Sequence, residues 1–504
     1  MGDQRPAVTT PAGQELMALH DAGEHEGFYA HLEENWLELW YACDPTQLRQ
    51  LIEQHEPPAC IGAGAALVVA LTGAAVSAPV APRRPLSSDD PRRLVQTAAI
   101  EAGDLRMRGR PVAAMERIDD AAPAIRRISG AFLDTSDGIA AIYALQAGST
   151  ALLAGDLVAA RAHFLRGASP VRPARFPFAA RDTAAKMALT HAMAGDMGEA
   201  QHWATRAHDL AHTESWVETL IDDTLWLVDY FIALESLELD RAEKIRQEKP
   251  SPLSHLEWWA VALHVQVRHL AITRRASSAA EICDAVAAAG LPQPGSDGWQ
   301  AVALTQARLM CRAPGAPEPH GVVDSDPWAV VSRRVHHLTL GRIDQVVTPH
   351  DAEDTSGSDV RPALALRLLR AQALHESGQS DEARALLRDT LTTVFQRGVL
   401  SMLAYLTPSG LELIADTTEG ATAAALVRKH DVPLLECVTL TSAPLTPAEV
   451  DVLRLLALRR TRQEIADELF LSVHTVKSHL ASAYRKLGVR TRDEAVAKVQ
   501  QLAL

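Results

Sequence analysis

The segments Leu445-Thr-Pro-Ala-Glu-Val-Asp-Val-Leu-Arg-Leu-Leu456, Thr461-Arg-Gln-Glu-Ile-Ala-Asp-Glu-Leu-Phe-Leu-Ser472 and Val473-His-Thr-Val-Lys-Ser-His-Leu-Ala-Ser-Ala-Tyr-Arg-Lys-Leu-Gly-Val489, followed by Thr491-Arg-Asp-Glu-Ala-Val496, write four short helices with their own start signals. Thr446 precedes Pro447, and Glu449 follows three residues later, the spacing of a capping box with proline at the first helical position. Thr461 with Glu464 and Thr491 with Glu494 repeat that spacing. Ser472 is placed to cap the third helix, and Gly488 to end it where a left-handed residue is wanted. Val450, Leu453 and Leu456, then Ile465, Ala466 and Leu469, then Val473, Val476, Leu480 and Leu487, and finally Val489, Ala495 and Val499 supply one small apolar core.

The helix Arg462–Leu469, the turn Phe470–Ser472 and the helix from Val473 form a helix-turn-helix, whose second helix lies in the major groove of duplex DNA. With the apolar positions turned inward, His474, Lys477, Ser478 and Ala481 face outward. Lys477 and Ser478 can hydrogen-bond base edges, and Ala481 can touch a thymine methyl. Thr475, His479, Arg485, Lys486 and Arg492 lie where hydroxyls and cations could hold phosphate, and Thr461, Arg462 and Ser472 are further candidates for DNA contact. A four-helix unit used only for dimerisation or protein contact would share the capping, but not the exposed Thr-Val-Lys-x-His face.

Charge is distributed to match. The chain has 504 residues and a net charge of −14. Residues 445–504 hold ten Lys+Arg against seven Asp+Glu, a balance of +3, which leaves the preceding 444 residues at −17. A locally basic module on an acidic body is the electrostatic pattern of a DNA-binding appendage.

Residues 445–499 resemble the LuxR-type C-terminal domain through Glu464-Ile-Ala, Ser472, Thr475-Val-Lys, His479, Lys486-Leu and Ala495-Val. The resemblance implies a four-helix DNA-binding domain in a bacterial transcription regulator. It also implies a two-fold contact through the last helix, Arg492–Leu502, with Val496 and Gln500 free to meet the partner. Four positions depart from the pattern. Arg459 stands where glycine is usual, Arg462 replaces Asn, Ala448 replaces Arg, and Ala481 leaves the groove-facing surface one cation short.

From Met17 to Val427 the apolar spacing is helical nearly throughout, as in Leu364, Leu368, Ala371 and Leu374, and alternating strand patterns are missing. The expected class is therefore all-α. Gly155-Asp156 is followed at +5 by Ala160 and at +9 by Phe164, and Gly195-Asp196 and Gly378-Gln379 open similar stretches. Such units resemble tetratricopeptide-type helix pairs, whose period is about 34 residues. A generic bundle of helical hairpins is the alternative. With its early Trp40-Tyr-Ala-Cys-Asp-Pro-Thr-Gln-Leu-Arg segment, the body is also similar to the sensor region of MalT-like regulators, without their N-terminal ATPase. The expected organisation is a helical-repeat sensor or interaction domain over 1–435, a linker over 436–444 and the DNA-binding domain over 445–504. Pro349–Pro362, with Asp351, Glu353, Asp354 and Asp359, reads as a flexible acidic loop or linker.

Enzymatic chemistry is not legible, and no cofactor is expected. A P-loop ends in Gly-Lys-Ser/Thr, and the dipeptide Gly-Lys occurs nowhere. Gly62-Ala-Gly64 lacks the remaining parts of a phosphate loop and reads as packed small residues. His208 and His212 stand at i and i+4, which would share a helix face and could hold a metal, but no third ligand accompanies them. Cys43, Cys60, Cys283, Cys311 and Cys437 are odd in number and widely spaced, which suggests neither a disulfide framework nor a zinc site. Pro57–Pro82 contains no charge, yet Ala and Gly dominate it, so a buried helix pair is expected rather than a membrane span. No leader is legible at Met1–Pro11, and a reduced, cytoplasmic setting is expected. The expected partners are double-stranded DNA, a second copy of the chain and a small-molecule or protein effector bound to the body. The alternative function is an interaction scaffold that sequesters other regulators.

Overall fold

The structure is a computed structural model that describes residues 10–76, 91–130, 138–167, 176–249, 257–312, 326–355, 359–435, 445–487, 489 and 491–501. Among these residues it is all-helical and contains no strand. Gly488, Cys437 and the expected linker 436–444 lie outside the described residues. The helices divide into two compact units. One comprises residues up to His191 together with Glu199–Asp229 and Pro294–Gly298. The other comprises Ala192–Gly198, Tyr230–Gln293 and residues from Trp299 onward, which include the C-terminal helices.

In the first unit, helical hairpins follow the glycine punctuation. The helix Ile139–Ala154 ends at Gly155, whose φ of 94° is a left-handed value that favours glycine. The chain then returns through Leu157–Gly167, burying Leu157, Ala160 and Phe164 as the apolar spacing predicts. At Gly148 the approach is so close that a Cβ would stand 2.4 Å from the Phe164 ring. A side chain there would prise the pair apart.

Pro57–Pro82 yields one helix among the described residues, Ala63–Thr72, rather than the expected pair. It packs on His25–Ala42 and Pro45–Glu53. Glu33 accepts the Ala65 N–H at 2.9 Å, and a Cβ at Gly64 would lie 2.5 Å from Trp36, so these small residues serve packing. No described helix is long and apolar enough to cross a membrane. The expectation of a shared face for His208 and His212 is corrected, because Met197–Asp209 ends before His212. His208 instead lies 3.3 Å from Asp229, and His212 lies 3.8 Å from Glu218. Cys43, Cys60, Cys283 and Cys311 are free thiols.

The second unit carries ions in its core. Fully buried Glu235 receives Arg268 Nη1 and Arg361 Nη1 on one oxygen, each at 2.9 Å, and Ser401 donates to the other. Arg361 also reaches Asp359 at 2.8 Å and donates to the Met193 carbonyl at 2.6 Å. The guanidiniums of Arg268 and Arg361 sit over Trp328 and Phe231 at 5.1 and 5.2 Å. Burial pushes the Glu235 carboxyl up, but the two arginines and Ser401 outweigh it and hold it below its ordinary range.

Part of the acidic stretch near 350 is built into the fold. Asp351–Glu353 forms a short 3-10 turn capped by His350, and the half-buried Glu353 lies between Arg334 at 2.8 Å and Arg370 at 2.9 Å. Composition alone hid these contacts, because the arginines come from the flanking helices, Arg334 from Pro327–Thr339 and Arg370 from Arg361–Glu376.

Candidate nucleic-acid interface

The C-terminal helices run Pro447–Ala457, Arg462–Glu468, Val473–Leu487 and Arg492–Gln501. Three of them start with reciprocal capping boxes. Thr446 N–H donates to Glu449 at 2.7 Å while Glu449 N–H donates back to the hydroxyl at 3.3 Å. Thr461 and Glu464 do the same at 2.7 and 3.2 Å, and Thr491 and Glu494 at 3.3 and 3.2 Å. Each box satisfies two backbone donors that a helix start otherwise leaves open.

The four helices close over Leu445, Val450, Val452, Leu453, Leu456, Ile465, Ala466, Val476, Leu480, Ala483, Leu487, Ala495 and Val499. Leu469, Val473 and Val489 pack against this core half-buried. Leu340, at the end of the helix Pro327–Thr339, is fully buried and joins the same apolar cluster from outside the domain. No sequence pattern pointed to it.

On the helix Val473–Leu487, His474, Lys477, Ser478, Ala481 and Arg485 are exposed, and Thr475 and His479 are half-buried. Ser478 donates to the His474 carbonyl at 3.1 Å, which spends its proton locally and leaves its oxygen to accept. At the helix start, Ser472 Oγ accepts the Thr475 N–H at 3.0 Å and pairs with the Thr475 hydroxyl at 2.8 Å. Thr461 and Arg462 lie exposed at the start of the preceding helix. Arg492 is exposed and donates to the Arg460 carbonyl at 2.8 Å, which orients its guanidinium.

Lys486 departs from the expectation of an open phosphate-facing ammonium. It is buried, and its Nζ lies 2.7 Å from Glu449, itself buried. Burial pushes the Glu449 carboxyl up, but Lys486 and the Thr446 N–H hold it below the ordinary range. The sequence treated Glu449 as a cap alone. Its second duty, tying the first helix to the recognition helix, requires the tertiary fold. Val496 is half-buried and packs partly on the core, so only part of its surface is open to a partner. The side chain of Gln500 lies outside the described residues.

Two residues hold left-handed backbone without being glycine. Arg459 has φ 61°, which explains why its position suits glycine. Phe470 has φ 55° in the turn before the recognition helix and is 96% exposed.

A two-helix corner with a capped second helix and an outward polar face defines a helix-turn-helix DNA-binding domain. The family model GerE, for bacterial regulatory proteins of the luxR family, matches residues 443–499. Spore germination protein GerE of Bacillus subtilis (strain 168) is similar, with 43% identity over 58 residues that cover 12% of this chain and 78% of that protein. The chain belongs to the luxR family of bacterial regulatory proteins. It is a DNA-binding transcription regulator.

Proposed function

We propose that the regulator reads DNA as a homodimer, with Val473–Leu487 in the major groove and an effector bound to the helical body gating that contact. The observation carrying this reading is the outward set His474, Lys477, Ser478 and Ala481 on a helix whose Val476 and Leu480 are buried. Lys477 and Ser478 are assigned to bases. Thr461, Arg462, Ser472, Thr475, His479, Arg485 and Arg492 are assigned to the phosphate backbone. The left-handed glycines 155, 195 and 378 between paired helices support a tetratricopeptide-like, MalT-like sensor body. The missing Gly-Lys-Ser/Thr supports a chain that is not an enzyme. Saturable ATP binding displaced by ADP would overturn that part.

One recognition helix spans too few base pairs to find a site in a genome, so two copies related by a two-fold axis are required. Footprinting with the full-length protein on sites recovered by genome-wide occupancy should show an inverted repeat. Its half-sites should lie about 10 bp apart. Val496→Glu should reduce cooperative binding while circular dichroism keeps its helical signal. A single unrepeated half-site bound by one chain rules the dimer out. Binding without sequence preference would favour the scaffold reading instead.

A further inference from the structure

Three histidines meet where the first helices of the chain close. His20 lies in the last turn of Pro11–Asp21, His25 begins His25–Ala42, and His55 follows Pro45–Glu53. His55 is buried, with Phe28 stacked on its ring at 3.9 Å. His20 Nδ1 is 2.9 Å from His55 Nε2, and His25 Nδ1 is 3.0 Å from His55 Nδ1. The backbone N–H of Glu56 also donates to His25 Nδ1, at 3.3 Å.

These contacts admit one arrangement of protons when the rings are neutral. Because His25 Nδ1 accepts from Glu56, it presents a lone pair, and the hydrogen between it and His55 belongs to His55 Nδ1. A neutral imidazole carries a single N–H, so His55 Nε2 is an acceptor and His20 Nδ1 donates to it. Both nitrogens of His55 are then used, on opposite sides of its ring, and the three rings do not converge on a point where a metal could sit. An added proton on His20 Nε2 costs neither bond. A proton on His25 Nδ1 removes the acceptor for two donors, and one on His55 Nε2 sets N–H against N–H.

We propose that His20, His55 and His25 form a proton-operated latch on the first three helices, closed while His55 and His25 are neutral and opened when either takes a proton. Burial, and then the neighbouring His20 and His25, hold His55 down to about 4. The unfolded chain takes up that proton near 6.5, so the latch is at full strength above about pH 6.5 and weakens as pH falls toward 4. The titratable groups facing His55 are His20 from the first helix and His25 from the second. On its own element, Glu53 is turned to Arg49 at 2.9 Å and to the Ala75 N–H at 3.1 Å. Asp21, Glu24, Glu26 and Glu56 nearby are exposed, and Glu15 and His31 form a separate contact of 3.8 Å between the first two helices.

The test uses full-length protein labelled with ¹⁵N-histidine, followed by NMR and hydrogen exchange from about pH 8 to about pH 5. His55 is expected to stay neutral as its Nδ1–H tautomer. Corrected for intrinsic rates, backbone exchange in residues 12–55 should rise about tenfold as pH falls. His55→Asn should remove that rise. His25→Gln, which keeps an acceptor that cannot be protonated, should reduce it and serves if the first variant fails to fold. A His55 ring titrating near its ordinary value, an Nε2–H tautomer, or exchange that rises equally in both variants would overturn the latch.

Discussion

Glu235→Leu is expected to destabilise the second unit by about 3–5 kcal/mol, the cost of leaving a buried charge without its partner. Arg268 and Arg361 both converge on this carboxylate, Ser401 donates to it, and none of the four side chains has more than about 1% exposure. Asp359 would remain to offset Arg361, but Arg268 would lose its only carboxylate at hydrogen-bonding distance among the described residues. Glu235→Gln keeps an oxygen acceptor and most of the volume, so it should cost less than the leucine change. Because the folded-state value of Glu235 lies below its ordinary one, its contribution is present above the usual carboxylate range and is lost as pH falls through the folded value. Denaturant unfolding of the full-length protein decides the matter. A change within about 0.5 kcal/mol for Glu235→Leu would mean that the ion set does not hold this core.

Lys477→Ala should weaken operator binding by about 1–3 kcal/mol and relax preference at one base position, because Lys477 is exposed on the face assigned to the groove. Arg492→Ala should weaken all sequences alike and flatten the salt dependence by about one unit. Lys486→Met separates the two classes. Its ammonium is buried against Glu449, so the variant should lose stability while the salt slope of the remaining folded protein stays unchanged. Anisotropy titrations across a salt series measure all three. Unchanged operator affinity for Lys477→Ala would show that the recognition helix presents a different face, and a flattened slope for Lys486→Met would return that lysine to the phosphate backbone.

The C-terminal domain was legible because its determinants are local. Capping boxes, a proline at a helix start and apolar spacing act over three or four residues, and all three threonine boxes formed at the expected places. Ten of the thirteen expected core positions are buried, Leu469, Val473 and Val489 pack half-buried beside them, and Leu340, Leu445, Val452 and Ala483 join the core unexpectedly. The all-helical class was also readable from periodicity, and glycines 155, 195 and 378 turn the chain left-handed where helices end. What stayed hidden joins distant residues. The Glu235 cluster draws on residues up to 166 positions apart, and the Lys486–Glu449 pair spans 37. A lysine near a helix end reads as solvated until its neighbours are known. In the acidic stretch near 350, the sequence did not show that Glu353 meets Arg334 and Arg370, which the fold brings to it.

Leu340 bears on how this reading head could be transplanted. The domain looks portable, since its helices carry their own start signals and most of its core is self-supplied. Yet one fully buried leucine comes from a helix that ends about a hundred residues earlier. A graft cut just before Leu445 would leave that side chain behind and open an apolar notch to water. Burying a leucine contributes about 1.5–3 kcal/mol, so the severed head would lose stability and gain a sticky spot. A chimera on a foreign body therefore needs a substitute for that leucine, either from its host or as a polar replacement lining the notch. Leu340 would have to travel with the head, which an exchange at 436–444 alone does not achieve.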